Sequence, residues 1–297
     1  MLMPTLLDEL HLRYEADVPL GPLTWYGLGG RAQWLVHPTG AEQLSTLARR
    51  CHEAGQPMYV LSAGANLLVR DSGVPGVVVK LDEPAFKQVR INKNILTVGA
   101  GFDLAKLVLE NAKRGLAGTE CLAGIPATLG GAVRMNAGGA YGDIGKSVRS
   151  LQVMDALGQP YVRDRDDLVF AYRKTNIDAK FILKVELELT EDDPEALGKR
   201  VREIFAFKSS TQPLGAHSAG CAFKNPSPSV SAGKLIDQAG LKGFRLGGAE
   251  VSTVHANFIV AHPGCQADDI LRIMEHVQAQ VYAKFNVKLE REVVVWP

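Results

Sequence analysis

The nine residues SAGCAFKNP, 218 to 226, set one thiol, Cys221, between a glycine-containing turn and the run Phe223, Lys224, Asn225. A thiol there admits three chemistries: packing as a small apolar group, attack as a nucleophile, or release of a proton to a reacting carbon. Gly220 and the pair Lys224–Asn225 are poor company for core packing. As a nucleophile, Cys221 has His217 and His255 as conceivable bases, but neither spacing defines a catalytic pair and no oxyanion loop is recognisable. A proton donor needs only a suitable slot beside the substrate.

Glycine collects in three other stretches: GLGG at 27–30, SAGAN at 62–66 and GIPATLGGAVRMNAGGAYGDIG at 124–145. Glycine admits positive φ and lets backbone N–H groups approach phosphate oxygens with no Cβ in the way. One such loop is an ordinary turn; three within about 120 residues point to a buried pyrophosphate. No G-x-G-x-x-G separates a strand from a helix with an acidic residue further on, so a Rossmann dinucleotide fold has little support. GDIGKS is no P-loop either, because Ala140 occupies the first glycine slot and no apolar strand precedes it.

Such chemistry has to be carried by a sizeable globular chain. The sequence has 297 residues, 46% hydrophobic and 22% charged, with 33 Lys plus Arg against 32 Asp plus Glu. That balance leaves no global field to draw nucleic acid or an anionic membrane, so any anion needs a local site. The N-terminal stretch MLMPTLLDELHLRYEADVPL has no basic leader and is broken by Asp8, Glu9, His11 and Arg13, so we read neither a signal peptide nor a membrane span and expect the cytoplasm. Cys51, Cys121, Cys221 and Cys265 are widely spaced with no zinc-finger partners, so free thiols and no structural metal are expected.

Periodicity supplies the elements. Leu44, Leu47, Ala48 and Cys51 recur as one helical stripe in AEQLSTLARRCHEAG, which makes Cys51 a core residue. MYVLSAG, GVVVKL, ILTVGAG, SLQVMDA and FILKVELEL read as strands, and DLAKLVLENAKRGL and PEALGKRVREIFAFK as helices. Turn formers in SSTQPLGAHSAG mark a boundary near 205–212. Beyond it come a helix at AGKLIDQAG, a strand at NFIVA, a long helix at ADDILRIMEHVQAQVYAKF and a closing strand over VKLEREVVV. Interleaved strands and helices give an α/β or α+β class.

Seven blocks, PLTWYGLGGRA, LSAGANLLVRDSG, GIPATLGGAVRMNAGGAYG, FAYRKT, SAGCAFKNP, AGKLIDQAGLKGFRLGGAEVSTVHANFIV and LEREV, occur in the order found in the UDP-N-acetylenolpyruvoylglucosamine reductases, and the chain resembles that family from about residue 20 onward. The resemblance implies an α+β protein with a vanillyl-alcohol-oxidase-type FAD-binding region of two α/β subdomains, 1–75 and 76–207. A substrate domain at 208–297 follows, its final strand free to return to the FAD region. It implies FAD as cofactor, NADPH as hydride source and UDP-N-acetylglucosamine-enolpyruvate as substrate, with no obligate protein partner. An FAD-dependent alcohol oxidase on the same flavin-binding fold and a non-catalytic nucleotide-binding module are the competing readings.

By the same resemblance, FAD would lie against Ser62, Ala63, Gly64, Ala65, Asn66 and Leu67, and against Gly124, Ile125, Pro126, Gly130, Gly131, Ala132, Asn136, Ala137 and Gly138. Arg173 and Glu292 would polarise the substrate carboxylate and Cys221 would protonate C2. Arginine suits the clamp, being always charged and planar, whereas a glutamate must be protonated to help there. Lys224, Asn225 and His255 would meet the nucleotide, with Asn257 an alternative to His255, and Lys208 and Gln212 as further candidates. The chain departs from the family pattern where cysteine stands for the commoner serine, where Thr175 replaces the serine of YRxS, at Ala127, and in NAGGAYG, one residue longer than usual. Only seven residues separate Arg173 from Phe181, so the chain resembles the shorter, second type.

Overall fold

The structure, a computed structural model, describes residues 3–297 and divides into two compact units interleaved along the chain. The first comprises residues up to Ala16, Trp34–Ala63 and Gly76–Ala206; the second comprises Asp17–Gln33, Gly64–Pro75 and Phe207–Pro297.

In the first unit the helix Ala41–Glu53 buries Leu44, Leu47, Ala48 and Cys51, the stripe its spacing predicts, in a core with Val36, Val77 and Val79. Gly55, at φ +62°, ends it in the left-handed conformation that glycine adopts without penalty. Met58–Val60 pairs in parallel with Val77–Val79, inside a sheet ordered Arg13–Pro19, Arg31–His37, Val74–Val79, Met58–Val60. The N-terminal stretch forms a helix, Met3–Glu9, whose Leu6 and Leu7 are buried.

A second sheet is antiparallel throughout, ordered Pro160–Asp164, Val148–Met154, Phe181–Glu188, Ile95–Gly99, Val89–Asn92. Its apolar face packs with the helix Leu104–Lys113, which buries Leu104, Leu107, Val108 and Ala112. Asp103 caps that helix, accepting from Lys106 N–H at 2.7 Å, an interaction typically worth about 1 kcal/mol. The short helix Leu129–Arg134 places Leu129, Ala132 and Val133 in the same core.

The second unit contains the sheet Arg245–Leu246, Ala249–Val251, Ile259–Ala261 and the helices Ala232–Gln238 and Ala267–Phe285. The long helix opens with a reciprocal capping box between Gln266 and Asp269 and closes on Asn286 at φ +53°. Ile270, Ile273, Met274, Val277 and Val281 line its buried stripe.

The closing strand is shorter than its alternating sequence predicts, because residues 290–294 change partner midway. Lys224 N–H donates to Glu290 O and Glu292 N–H to Ala222 O, whereas Val294 N–H donates to Asn66 O. Only Val294–Trp296 forms a strand, parallel to Leu67–Val69, so Glu292 sits at the handover between two short ladders.

Candidate active site

Cys221 is half-buried on a loop gripped from two sides within the second unit. On one side Ala222 N–H donates to Asn257 O at 2.7 Å, Phe223 N–H donates to Asn257 Oδ1 at 3.0 Å, and Asn257 Nδ2 donates to Phe223 O at 2.8 Å. On the other, Lys224 and Ala222 bond to Glu290 and Glu292 through their backbones. Cys221 and Glu292 therefore flank a single backbone hydrogen bond, Glu292 N–H to Ala222 O at 2.9 Å. Gly220, at φ +74°, has open space where a Cβ would stand, so its conformation and not crowding calls for glycine.

The three side chains expected at the nucleotide lie in this unit too. Lys224 pairs with the exposed Glu290. Asn225 Oδ1 accepts from Ala232 N–H at 3.0 Å, fixing the start of the helix Ala232–Gln238. His255 Nδ1 accepts from Asn257 N–H at 3.2 Å, so the neutral ring carries its proton on Nε2 and offers a donor there. Burial pushes the His255 pKa down and favours that neutral form. Asn257 is fully enclosed and grips the Phe223 backbone instead of facing a ligand.

In the first unit Arg173 occupies the tip of a two-pair hairpin, Phe170–Ala171 against Lys174–Thr175. Its φ is +53°, a region where glycine or asparagine is ordinarily met and where another L-residue costs about 1–2 kcal/mol. Such strain persists where the surroundings enforce it, and it concentrates at functional positions. The Arg173 guanidinium lies 5.5 Å from the Tyr172 ring centroid.

Both glycine-rich loops reach the same place in this unit: Ser62 Oγ and Thr128 Oγ1 are 2.7 Å apart, and Thr128 caps the helix Leu129–Arg134 by accepting from Gly131 N–H. A Cβ on Gly131 would stand 2.4 Å from Ser62 Oγ and one on Gly130 2.8 Å from Ala100 Cβ, so both glycines are required for this packing. In the second unit Gly64, at φ +66°, packs against Leu23 O. Among the described residues the backbone N–H groups of Ser62 and Ala63 in the first unit donate to no acceptor, and neither do those of Gly64, Ala65 and Asn66 in the second unit. Backbone amides with no protein acceptor can meet an anion, which suits the phosphates of a dinucleotide such as FAD.

Sequence reasoning passed over two part-buried polar groups that hold these loops, Thr128 and Arg134, and took Asn257 only as an alternative contact to the nucleotide, not as the brace of the Phe223 backbone. Their signal is a polar residue inside an apolar or small-residue run, as in HANFIV, a pattern also shared by ligand-facing residues.

Comparison with known proteins fits this architecture. Residues 32–162 match the FAD binding domain family and residues 212–296 match the C-terminal domain of UDP-N-acetylenolpyruvoylglucosamine reductase. The fold and its loops thus define a flavin-binding oxidoreductase of α+β class. The chain is 42% identical to the UDP-N-acetylenolpyruvoylglucosamine reductase of Desulfosudis oleivorans, over 95% of this chain and 94% of that one. It is 40% identical to the reductase of Heliobacterium modesticaldum, over 99% and 94%. The crystal structure of the Thermus caldophilus reductase superimposes with a TM-score of 0.81 at 37% identity, covering 96% of this chain and 100% of that one. The chain belongs to the UDP-N-acetylenolpyruvoylglucosamine reductase family, and the match at 212–296 sets aside the alcohol oxidase alternative.

Proposed function

We propose that this chain reduces the enolpyruvyl group of UDP-N-acetylglucosamine-enolpyruvate at the expense of NADPH, in the cytoplasm. The observation that carries this reading is the likeness to proteins named as such reductases along nearly the whole chain. FAD, when bound, supplies the hydride carrier between the two substrates. By the family resemblance, the loops Ser62–Leu67 and Gly124–Gly138 would lie against it, and the backbone amides of Ser62 to Asn66 are available to its phosphates. The division of the flavin-binding part at about residue 75 belongs to the same proposal.

The remaining chemistry falls to side chains. Hydride addition at the vinyl C3 builds negative charge on C2 and the carboxylate, so the reaction needs a cation at the carboxylate and an acid at C2. Arg173 is suited to the first role by its planar fork. Cys221 is suited to the second as a half-buried thiol on a loop held on both sides. Glu292 shares that loop's hydrogen-bond ladder and would serve as the neutral partner at the carboxylate. Lys224, Asn225 and the Nε2 proton of His255 would address the nucleotide.

Anaerobic mixing tests the reading. NADPH should bleach the flavin absorption of the purified protein, and the enolpyruvyl nucleotide should restore it. Bleaching with no recovery on adding that nucleotide sinks the substrate assignment.

A further inference from the structure

The hairpin bearing Arg173 has two pairs of ladder residues, too few to be stable alone, and a left-handed residue at its tip. Something else must hold it. Asn136, almost fully buried and itself at φ +42°, does so with both ends of its carboxamide: Nδ2 donates to Ala171 O at 2.9 Å, and Oδ1 accepts from Gly145 N–H at 3.0 Å. The two partners fix the amide's orientation, since one can only accept and the other only donate.

The opposite strand is held from the same segment, Thr175 Oγ1 donating to Arg134 O at 3.1 Å. Arg134 in turn donates to Ile177 O and Ala179 O, each at 2.5 Å. Gly145 lies under Phe170, where a Cβ would come within 2.4 Å of the ring, and its carbonyl accepts from Arg165 Nη1 at 3.0 Å. Residues 134–136, immediately before Ala137 and Gly138, thus bind both strands of the Arg173 hairpin, and Asn136 bonds the residue two before Arg173.

We propose that Asn136 is a positioning residue for the reductase reaction, acting through Arg173: it locks the turn in which Arg173 is left-handed, and it registers that turn to the loop 137–138. The inference rests on the reading of Arg173 as the carboxylate clamp. Asn136→Asp isolates the effect, because it retains an acceptor for Gly145 N–H and turns a carboxylate oxygen towards Ala171 O in place of the donor.

The test is a double-mutant cycle on the substrate-driven reoxidation of the flavin, with rates normalised to bound FAD. Asn136→Asp should slow this step about tenfold to a hundredfold, the scale of a small misplacement of a catalytic group, and lower the ratio of reoxidation to NADPH-driven reduction. Arg173→Lys should slow it more, and adding Asn136→Asp to that variant should slow it little further. Multiplicative losses in the double variant overturn the positioning role while leaving the clamp intact. Unimpaired reoxidation in Arg173→Lys overturns the clamp itself, and the inference with it. Should Asn136→Asp fail to fold, Thr175→Val and Thr175→Ser probe the other strand: loss in the first with recovery in the second supports the proposal, and loss in neither overturns it.

Discussion

Asn257 holds Phe223 by both backbone polar groups, its Oδ1 accepting from the N–H at 3.0 Å and its Nδ2 donating to the C=O at 2.8 Å. The grip lies two residues from Cys221 and is completely enclosed. Truncation would strand a buried donor and a buried acceptor, each costing about 1–3 kcal/mol. Asn257→Ala should therefore lose about 2–6 kcal/mol of stability. Thermal unfolding checks this, and an unchanged melting temperature contradicts the grip.

Arg173 separates strain from function. Glycine at its left-handed position carries no Cβ penalty, so Arg173→Gly should raise stability by about 1 kcal/mol. The same change should abolish turnover of the enolpyruvyl nucleotide. Arg173→Lys, which keeps charge and loses the fork, should cost about 2.7–4 kcal/mol of transition-state stabilisation. Steady-state turnover beside melting curves decides the matter: an active, destabilised glycine variant contradicts both expectations.

For Cys221 the two half-reactions are informative. Cys221→Ser should remain active, a hydroxyl being able to donate from the same place. Cys221→Ala should still be bleached by NADPH yet fail to recover colour with substrate. Glu292→Gln, still able to donate a hydrogen bond, should retain more activity than Glu292→Ala. A covalent substrate adduct on Cys221, seen by mass spectrometry during turnover, would replace the acid with a nucleophile.

Acid should loosen the loop at His255. Its pKa is lowered in the fold by burial, so the unfolded chain binds the proton more readily. The contribution is complete above the ordinary histidine value of about 6.5 and is lost as pH falls from there towards the depressed folded value. Protonation also puts a hydrogen on Nδ1, against the Asn257 N–H it accepts from. Wild-type protein should lose more melting temperature than His255→Asn between pH 7 and pH 5. Equal losses would show that another group titrates.

What could be read from sequence follows the range of each interaction. The stripe Leu44, Leu47, Ala48, Cys51 is local and periodic, and the helix stands where it predicts. The left-handed turn at Arg173 carries no glycine to announce it, and a two-pair hairpin is too short for period-2 alternation. Asn136 and Asn257 sit in loop-like surroundings where asparagine usually turns or binds. That their amides close on distant backbone, 35 residues away for Asn136 and 34 for Asn257, has no signature along the chain. The interleaving of Asp17–Gln33 and Gly64–Pro75 with the C-terminal segment is invisible for the same reason.

That interleaving sets an order of assembly. Asn66 Nδ2 bonds to Glu292 O across 226 residues, and Leu67–Val69 finds its parallel partner only in Val294–Trp296. During synthesis these early segments wait for almost the whole chain, while the antiparallel sheet between Val89 and Glu188 has all of its strands as soon as residue 188 emerges. Contacts of such high contact order close late and slowly. The loop bearing Cys221 therefore lacks one side of its backbone ladder until Glu290 and Glu292 are made, and the apolar Leu67–Val69 strand lacks its parallel partner until Val294–Trp296 follows.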